Sequence, residues 1–231
     1  MPHGIFYATF ACDPFFNMAM DEWMFERVTD TAGAVMVRLY TWRPGAITFG
    51  FNQDEMKVVN HSRLFGTPLI RRVTGGRALY HEPSELTYSI AANLSHSSPA
   101  ILSGSISQTN RNISIVLMKF LNELKIKTQY VRFSDDGFND RKTFSTRPCF
   151  QSGARHEIVG ENGKIIASAQ RRIGNAFLQH GSIKINGVSN HPALPKVKNN
   201  SLGANSIRPI EKDDFFALAN TFSRQMENSM G

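Results

Sequence analysis

RRVTGGRALYHEPSELTYSI, Arg71 to Ile90, sets three arginines, a Gly-Gly pair and a histidine between apolar runs of strand composition. The runs PLIRRV, ALYH and ELTYSIAANL are rich in β-branched and aromatic residues, and GTP and TGG punctuate them. Upstream, AVMVRLYTW and AITFG are separated by RPG in the same way. Five short strands in succession predict one mixed sheet. Thr74-Gly75-Gly76 falls between two of them, where glycine permits positive φ and lets backbone N–H groups approach a ligand oxygen. A plain turn uses the same residues. The pair matches neither the spaced glycines of a dinucleotide site nor a phosphate loop, which needs a lysine after a longer glycine run. Arg71, Arg72, Arg77 and His81 beside it favour a loop that binds something.

Working outward, GIFYATF reads as a strand, and DPFFNMAMDEWMFERV as a helix with Asp13 at its N-cap and Pro14 at its first position. ISQTNRNISIVLMKFLNELKI has a broad apolar helical face through Ile113, Val116, Phe120 and Leu121 and leads to the strand candidate TQYVRF. SDDGFNDRKTFSTRP is polar and predicts a loop. HEIVGENGKIIASAQ predicts a hairpin turning at Asn162-Gly163, AFLQHGSIKI a further strand, and EKDDFFALANTFSRQM a closing helix. No repeat or low-complexity tract interrupts the pattern. The expectation is an α+β fold, a single domain over residues 1–231 with a mixed, mainly antiparallel sheet flanked by helices.

With 231 residues, 41% of them hydrophobic, the chain can bury a substantial core. Its opening lacks a basic segment followed by an apolar run, and no stretch approaches the roughly 18 apolar residues of a membrane span. Two cysteines, Cys12 and Cys149, do not make a disulfide framework, so a cytoplasmic protein is expected. A net charge of +7 favours an acidic partner. Lysines and arginines are spread along the chain, and neither an RNP-type aromatic motif nor a zinc-finger pattern accompanies them, which weighs against nucleic acid. The seven histidines are scattered, and HEPSE lacks the second histidine of a zinc-protease motif, so no metal is expected.

Three residues carry competing readings. Cys149 stands among Arg141, Lys142, Arg147 and Arg155, cations that would favour the thiolate of a thiol whose ordinary pKa is about 8.5; an inert buried cysteine is the alternative. Cys12, between a strand and a helix cap, reads as packing. Lys164 starts the apolar strand KIIASAQ, and strand lysines ordinarily point to solvent. His81 either satisfies a strand end or touches a ligand.

Taken together, RRVTGGRALYHEPSELTYS, NGKIIASAQRR and LQHGSI, preceded by NMAMDE and LYTWRPGAITFGFNQ, resemble the lipoate and biotin protein ligase superfamily over about Phe16 to Ile185. Lipoate ligases typically carry a third glycine where this chain has Arg77. The form GGRALYHEPSELTYS, with PCF before the hairpin and QHGS after it, is similar to the cysteine-dependent octanoyltransferases. GKIIASAQ departs from the family's usual pattern of two lysines and glycine, which bears on the shape of the acyl pocket more than on the chemistry.

The resemblance implies a catalytic pair, Cys149 as nucleophile and Lys164 as the lysine that holds and polarises the acyl carbonyl. It implies substrate contacts from Arg72, Gly75, Gly76, His81 and Ser168. The implied reaction moves an octanoyl group from octanoyl-acyl carrier protein to a lysine of a lipoyl domain, in a 2-oxoacid dehydrogenase or the glycine cleavage H protein, without cofactor, metal, nucleic acid or membrane. An ATP-dependent lipoate-protein ligase is the enzymatic alternative. A biotin ligase fits less well, because its arginine-glycine loop is not matched. A non-catalytic acyl-binding protein of the same fold is the alternative from another class.

Overall fold

In a computed structural model of the chain, the described residues are 4–83, 85–95, 99–131, 157–160, 163–185, 190–195 and 210–230. Strand β1 (Gly4–Cys12) runs into helix α1 (Pro14–Arg27), whose first turn is closed by the Asp13 carboxylate accepting from the Phe15 and Phe16 amides at 2.9 and 3.2 Å. The predicted cap is therefore present. The buried face of α1 carries Met18, Met24 and Phe25, and also Asn17 and Asp21. Buried polar side chains need partners, so this helix must meet a polar surface as well as a core.

That surface is a seven-stranded sheet in the order β1-β2-β6-β10-β9-β8-β7. Its members are β1, β2 (Val35–Trp42), β6 (Leu86–Asn93), β7 (Gln129–Val131), β8 (Glu157–Gly160), β9 (Gly163–Ile173) and β10 (Ala176–Ile183). Only β1 and β2 pair in parallel; the other pairings are antiparallel. The three strands β2, β6 and β10 are buried at every position. On one face Val37, Leu39, Tyr88, Ile90 and Phe177 meet helices α3 (Ile106–Glu123) and α4 (Lys212–Met230). There Phe120 and Phe222 pack edge to face with ring centroids 5.3 Å apart. On the other face Met36, Ala91 and Leu178 receive Met24 and Phe25 of α1.

The mixed, mainly antiparallel sheet between helices is as expected, but the strands divide between two sheets. After the Pro44-Gly45 turn, β3 (Ala46–Phe49) pairs with β4 (Leu69–Arg71) and β5 (Leu79–His81) in a separate three-stranded sheet. Both edges of β2 are already taken, by β1 and β6, so β3 cannot extend the large sheet beside its neighbour in sequence. A short helix, α2 (Glu55–Val58), follows β3.

At the β8–β9 hairpin Gly163 lies within the strand, opposite Gly160, rather than in the turn; residues 161 and 162 are outside the described set. A bulge then intervenes, since Ile158 pairs with Ile166 and Val159 with Lys164, which leaves Ile165 as the extra residue. Ile165 and Ile166 both pack against the main core. Strict alternation would put Lys164 on the same core face as Ile166; the bulge returns it to the opposite face, the one bearing Ala167 and Ala169. The predicted polar loop SDDGFNDRKTFSTRP and Cys149 lie outside the described residues.

Candidate active site

Between the two sheets is a cleft whose apolar lining includes Met18, Tyr40, Leu79, Ala167 and Ala169 and whose polar lining includes Arg72, Gly76, Arg77, His81, Ser168 and His180. Three of the expected contact residues, Arg72, Gly76 and His81, thus come together, while Ser168 borders the cleft with its hydroxyl turned to Tyr88 on the other face of the sheet. Gly75 adjoins them.

The glycine loop is fastened by its carbonyl oxygens. Arg171 Nη1 donates to Val73 O at 2.7 Å, and the Phe51 amide donates to Thr74 O at 2.9 Å. Arg72 Nη2 donates to Gly75 O at 3.0 Å and to Arg77 O at 2.9 Å. Arg72 is 6% exposed, so the side chain expected at the pocket mouth spends donors bracing the loop from beneath. With the carbonyls turned inward, the amides of Gly75 and Gly76 have no hydrogen-bond acceptor among the described residues. Gly76 has φ +89°, a conformation that side chains rarely adopt, and Gly50 packs so close to the Gly76 carbonyl that a Cβ there would collide with it. Open space surrounds the position a Gly75 Cβ would take, among the described residues. The loop is closed on its protein side and open on the other.

Two buried carboxylates lie behind it. Asp21 Oδ2 accepts from His180 Nδ1 at 2.8 Å and from the Tyr40 hydroxyl at 2.8 Å, while Oδ1 accepts from Ser89 at 2.7 Å and Arg38 at 3.4 Å. Burial alone would raise the Asp21 pKa, but His180 and Arg38 outweigh it and hold the carboxyl below its usual range. Tyr40, buried and facing that carboxylate, is pushed well above the usual phenol range. His180 Nε2 is 2.6 Å from Thr74 Oγ1.

Glu85 is the second. It accepts from His81 Nδ1 at 2.8 Å, and from Lys184 Nζ and Ser182 Oγ in close contacts. Burial again works to raise its pKa, but Lys184 and His81 bring it down to about 2. His81 is itself lowered by burial, against the pull of Glu85, and stacks on Trp42 with ring centroids 4.1 Å apart. Its Nε2 is 2.8 Å from Thr48 Oγ1, which also accepts from Arg72 Nη1 at 2.8 Å.

Ser168 Oγ is 2.7 Å from the Tyr88 hydroxyl, which Gln179 Nε2 also meets at 2.8 Å. Burial pushes Tyr88 up to about 12, against the hydrogen bonds from Ser168 and Gln179. Lys164 is half-buried on the cleft-side face of β9, about 10 Å along the strand from Ala167. Cys12 is half-buried, its thiol approaches Phe10 O at 3.7 Å, and it is not part of the cleft lining. Asp21, Thr48, Glu85, His180 and Lys184 are not singled out by the sequence, and Thr74 is named there only as part of the glycine loop. Their signal was a polar residue on the buried face of α1, a threonine within β3, and polar or charged residues within β10 or at the ends of β6 and β10, and only the partners could give it meaning.

The Lipoyl protein ligase A/B catalytic domain profile matches residues 13–212, most of the chain, from the start of α1 to the start of α4. The chain belongs to that family. Within it the chain is similar to octanoyltransferase LipM of Kyrpidia tusciae, 36% identical over 172 residues that make up 73% of this chain and 61% of the relative. It is likewise similar to octanoyltransferase LipM of Staphylococcus aureus, 33% identical over 77% of this chain and 64% of the relative. It spans less than two thirds of the length of these curated relatives. Among solved folds, the bipartite lipoate protein ligase of Thermoplasma acidophilum, described with its E2 lipoyl domain, superposes with a TM-score of 0.68 at 16% identity, covering 98% of this chain and 85% of that one. A lipoate-protein ligase A bound with ATP gives 0.66 at 18% identity, with the same 98% and 85% coverage. At these identities the likeness establishes the ligase A/B fold. No described helix is long and apolar enough to cross a membrane.

Proposed function

We propose that the chain is an octanoyltransferase that moves an octanoyl group from octanoyl-acyl carrier protein to a lipoyl-domain lysine by way of a Cys149 acyl-enzyme. The observation that carries this reading is the Thr74-Gly75-Gly76 loop at the cleft, whose carbonyls are held by Phe51 and Arg72 and whose glycine amides have no acceptor among the described residues. Such amides suit an acyl carbonyl that gathers negative charge in the transition state. The likeness to LipM octanoyltransferases and the return of Lys164 to the cleft-side face support it.

In the first half-reaction the Cys149 thiolate attacks the thioester carbon; the new C–S bond forms as the carrier's thiolate leaves and takes a proton. In the second, the acceptor lysine's amine attacks the acyl-cysteine; an amide forms, the Cys149 thiolate leaves, and the amine's proton is lost. Lys164 polarises the acyl carbonyl and favours the thiolate. Gly75 and Gly76 bound the carbonyl end, and the buried Arg72 and His81 brace that end from behind. Burial of an octanoyl chain contributes roughly 5 kcal/mol of gross attraction, at about 0.8 kcal/mol per methylene. Neither ATP nor metal enters either step.

The deciding experiment is intact-protein mass spectrometry after mixing with octanoyl-acyl carrier protein, followed by addition of a lipoyl domain. Wild type is expected to gain one thioester-labile octanoyl group and pass it on without ATP. Cys149→Ala should lose both adduct and transfer, Cys149→Ser should be nearly inactive because a hydroxyl does not ionise at neutral pH, and Cys12→Ala should retain both. An adduct that persists in Cys149→Ala, or modification that requires ATP and magnesium, overturns the assignment, the latter in favour of a ligase.

A further inference from the structure

The two buried carboxylates are not independent. Each is joined through an imidazole to a threonine hydroxyl, and each threonine is coupled to the same glycine loop. Asp21 leads through His180 to Thr74, the first residue of that loop. Glu85 leads through His81 to Thr48, and Thr48 accepts from Arg72, whose other nitrogen holds Gly75 O and Arg77 O. The series come from different elements: Asp21 on α1 and His180 on β10 for one, Glu85 beside β6, His81 on β5 and Thr48 on β3 for the other.

The direction of each hydrogen bond follows from the inventory of donors. A carboxylate only accepts, so Nδ1 of both histidines must carry a proton. Burial favours neutral His81, whose Nε2 then accepts from the Thr48 hydroxyl, leaving the Thr48 lone pairs for Arg72. The chain runs one way, from Arg72 to Thr48 to His81 to Glu85. On the other side His180 Nδ1–H donates to Asp21, and a neutral His180 ring takes the Thr74 proton at Nε2. A threonine hydroxyl with its proton committed cannot rotate to offer it elsewhere. Both series therefore fix the loop's rotational setting without presenting a donor of their own to the cleft.

We propose that Asp21–His180–Thr74 and Glu85–His81–Thr48 are twin positioning relays that hold the Gly75 and Gly76 amides open toward the cleft, so that two threonine hydroxyls set the efficiency of the reaction without serving as its chemical groups. The proposal rests on the acyl-transfer reading above. Its prediction concerns the hydroxyls specifically, since valine keeps the shape of threonine and serine keeps its hydroxyl.

The test measures single-turnover transfer of the octanoyl group in Thr74→Val, Thr74→Ser, Thr48→Val and Thr48→Ser, each checked for folding by circular dichroism. Each valine variant is expected to lower the maximal rate about tenfold, the worth of one buried hydrogen bond, while the donor's half-saturating concentration stays within about twofold. Each serine variant should recover to within about threefold of wild type. Valine variants with wild-type rates, or serine variants as slow as their valine counterparts, overturn the proposal. Imidazole nitrogen NMR of the wild-type protein supplies a readout independent of variant folding: both His81 and His180 should be protonated at Nδ1 with Nε2 accepting. An unprotonated Nδ1 on either, or an Nε2–H on neutral His81, overturns it as well. Failure of wild type itself to take up an octanoyl group sinks the acyl-transfer reading instead, a result distinct from any of these.

Discussion

At the scale of single residues, the site is built from charges that the fold could not tolerate unpaired. Glu85 is buried with Lys184 and His81, so Glu85→Gln would leave an ammonium facing a neutral amide and should cost about 3–5 kcal/mol, read as a loss of urea resistance. The pH dependence of stability follows from the same groups. His81 is held below its ordinary 6.5, so the unfolded chain takes up a proton there first, and stability should decline as pH falls below about 6.5. Glu85, at about 2 against an ordinary 4.5, contributes fully above 4.5, and that contribution should be lost as pH falls toward 2. Urea midpoints that stay level from pH 7 to pH 4 would contradict this account. Lys164→Ala tests the proposed catalytic lysine: transfer should drop by at least about a hundredfold with the melting temperature nearly unchanged, since a half-buried strand lysine adds little stability. Near-normal turnover would return Lys164 to an ordinary surface role.

At the scale of elements, two local devices shape the proposed site. One is the β9 bulge at Ile165, which sets the face on which Lys164 stands. The other is the close crossing of Gly50 behind the glycine loop. Gly50→Ala forces backbone apart and should cost about 1–3 kcal/mol. For a chain of this size that is about 2–4 °C of melting temperature per kcal/mol, and transfer should fall with it because the Gly76 carbonyl is displaced. An alanine variant with unchanged melting and unchanged transfer would mean that the loop yields freely. The α1 cap has no such link to the site: Asp13→Ala should cost about 1 kcal/mol and leave the transfer rate alone.

For the whole molecule, the large sheet separates two jobs. One face is apolar and packs against α3 and α4 around Phe120, Phe177 and Phe222; the other takes α1 and the small sheet and holds the polar relays. Phe222→Ala should therefore lower stability by about 3–5 kcal/mol through a cavity on the far face, with catalysis per folded molecule retained. The net charge of +7 belongs to this scale too. If it steers an acidic carrier protein, the second-order rate of acyl uptake should fall as salt rises, because the screening length is about 8 Å at physiological ionic strength. A rate flat across the salt series would remove steering from the account.

Local signals sufficed wherever a short window holds the whole cause. Asp13-Pro14 starts a helix because the cap acts over three residues, and the strands around RRVTGGRALYHEPSELTYSI are legible because alternation and glycine punctuation are local. The same stretch carried the glycine loop, Arg72 and His81, which meet at one cleft. The division into two sheets was not legible, because β2 fills its edges with β1 and with β6, the latter about fifty residues away. Neither was the bulge, since one extra residue leaves composition unchanged while reversing a side chain's face. Asp21 and Glu85 looked like ordinary carboxylates in sequence. What makes them central is His180, 159 positions from Asp21, and Lys184, 99 positions from Glu85, and only the tertiary fold could bring those charges together out of water.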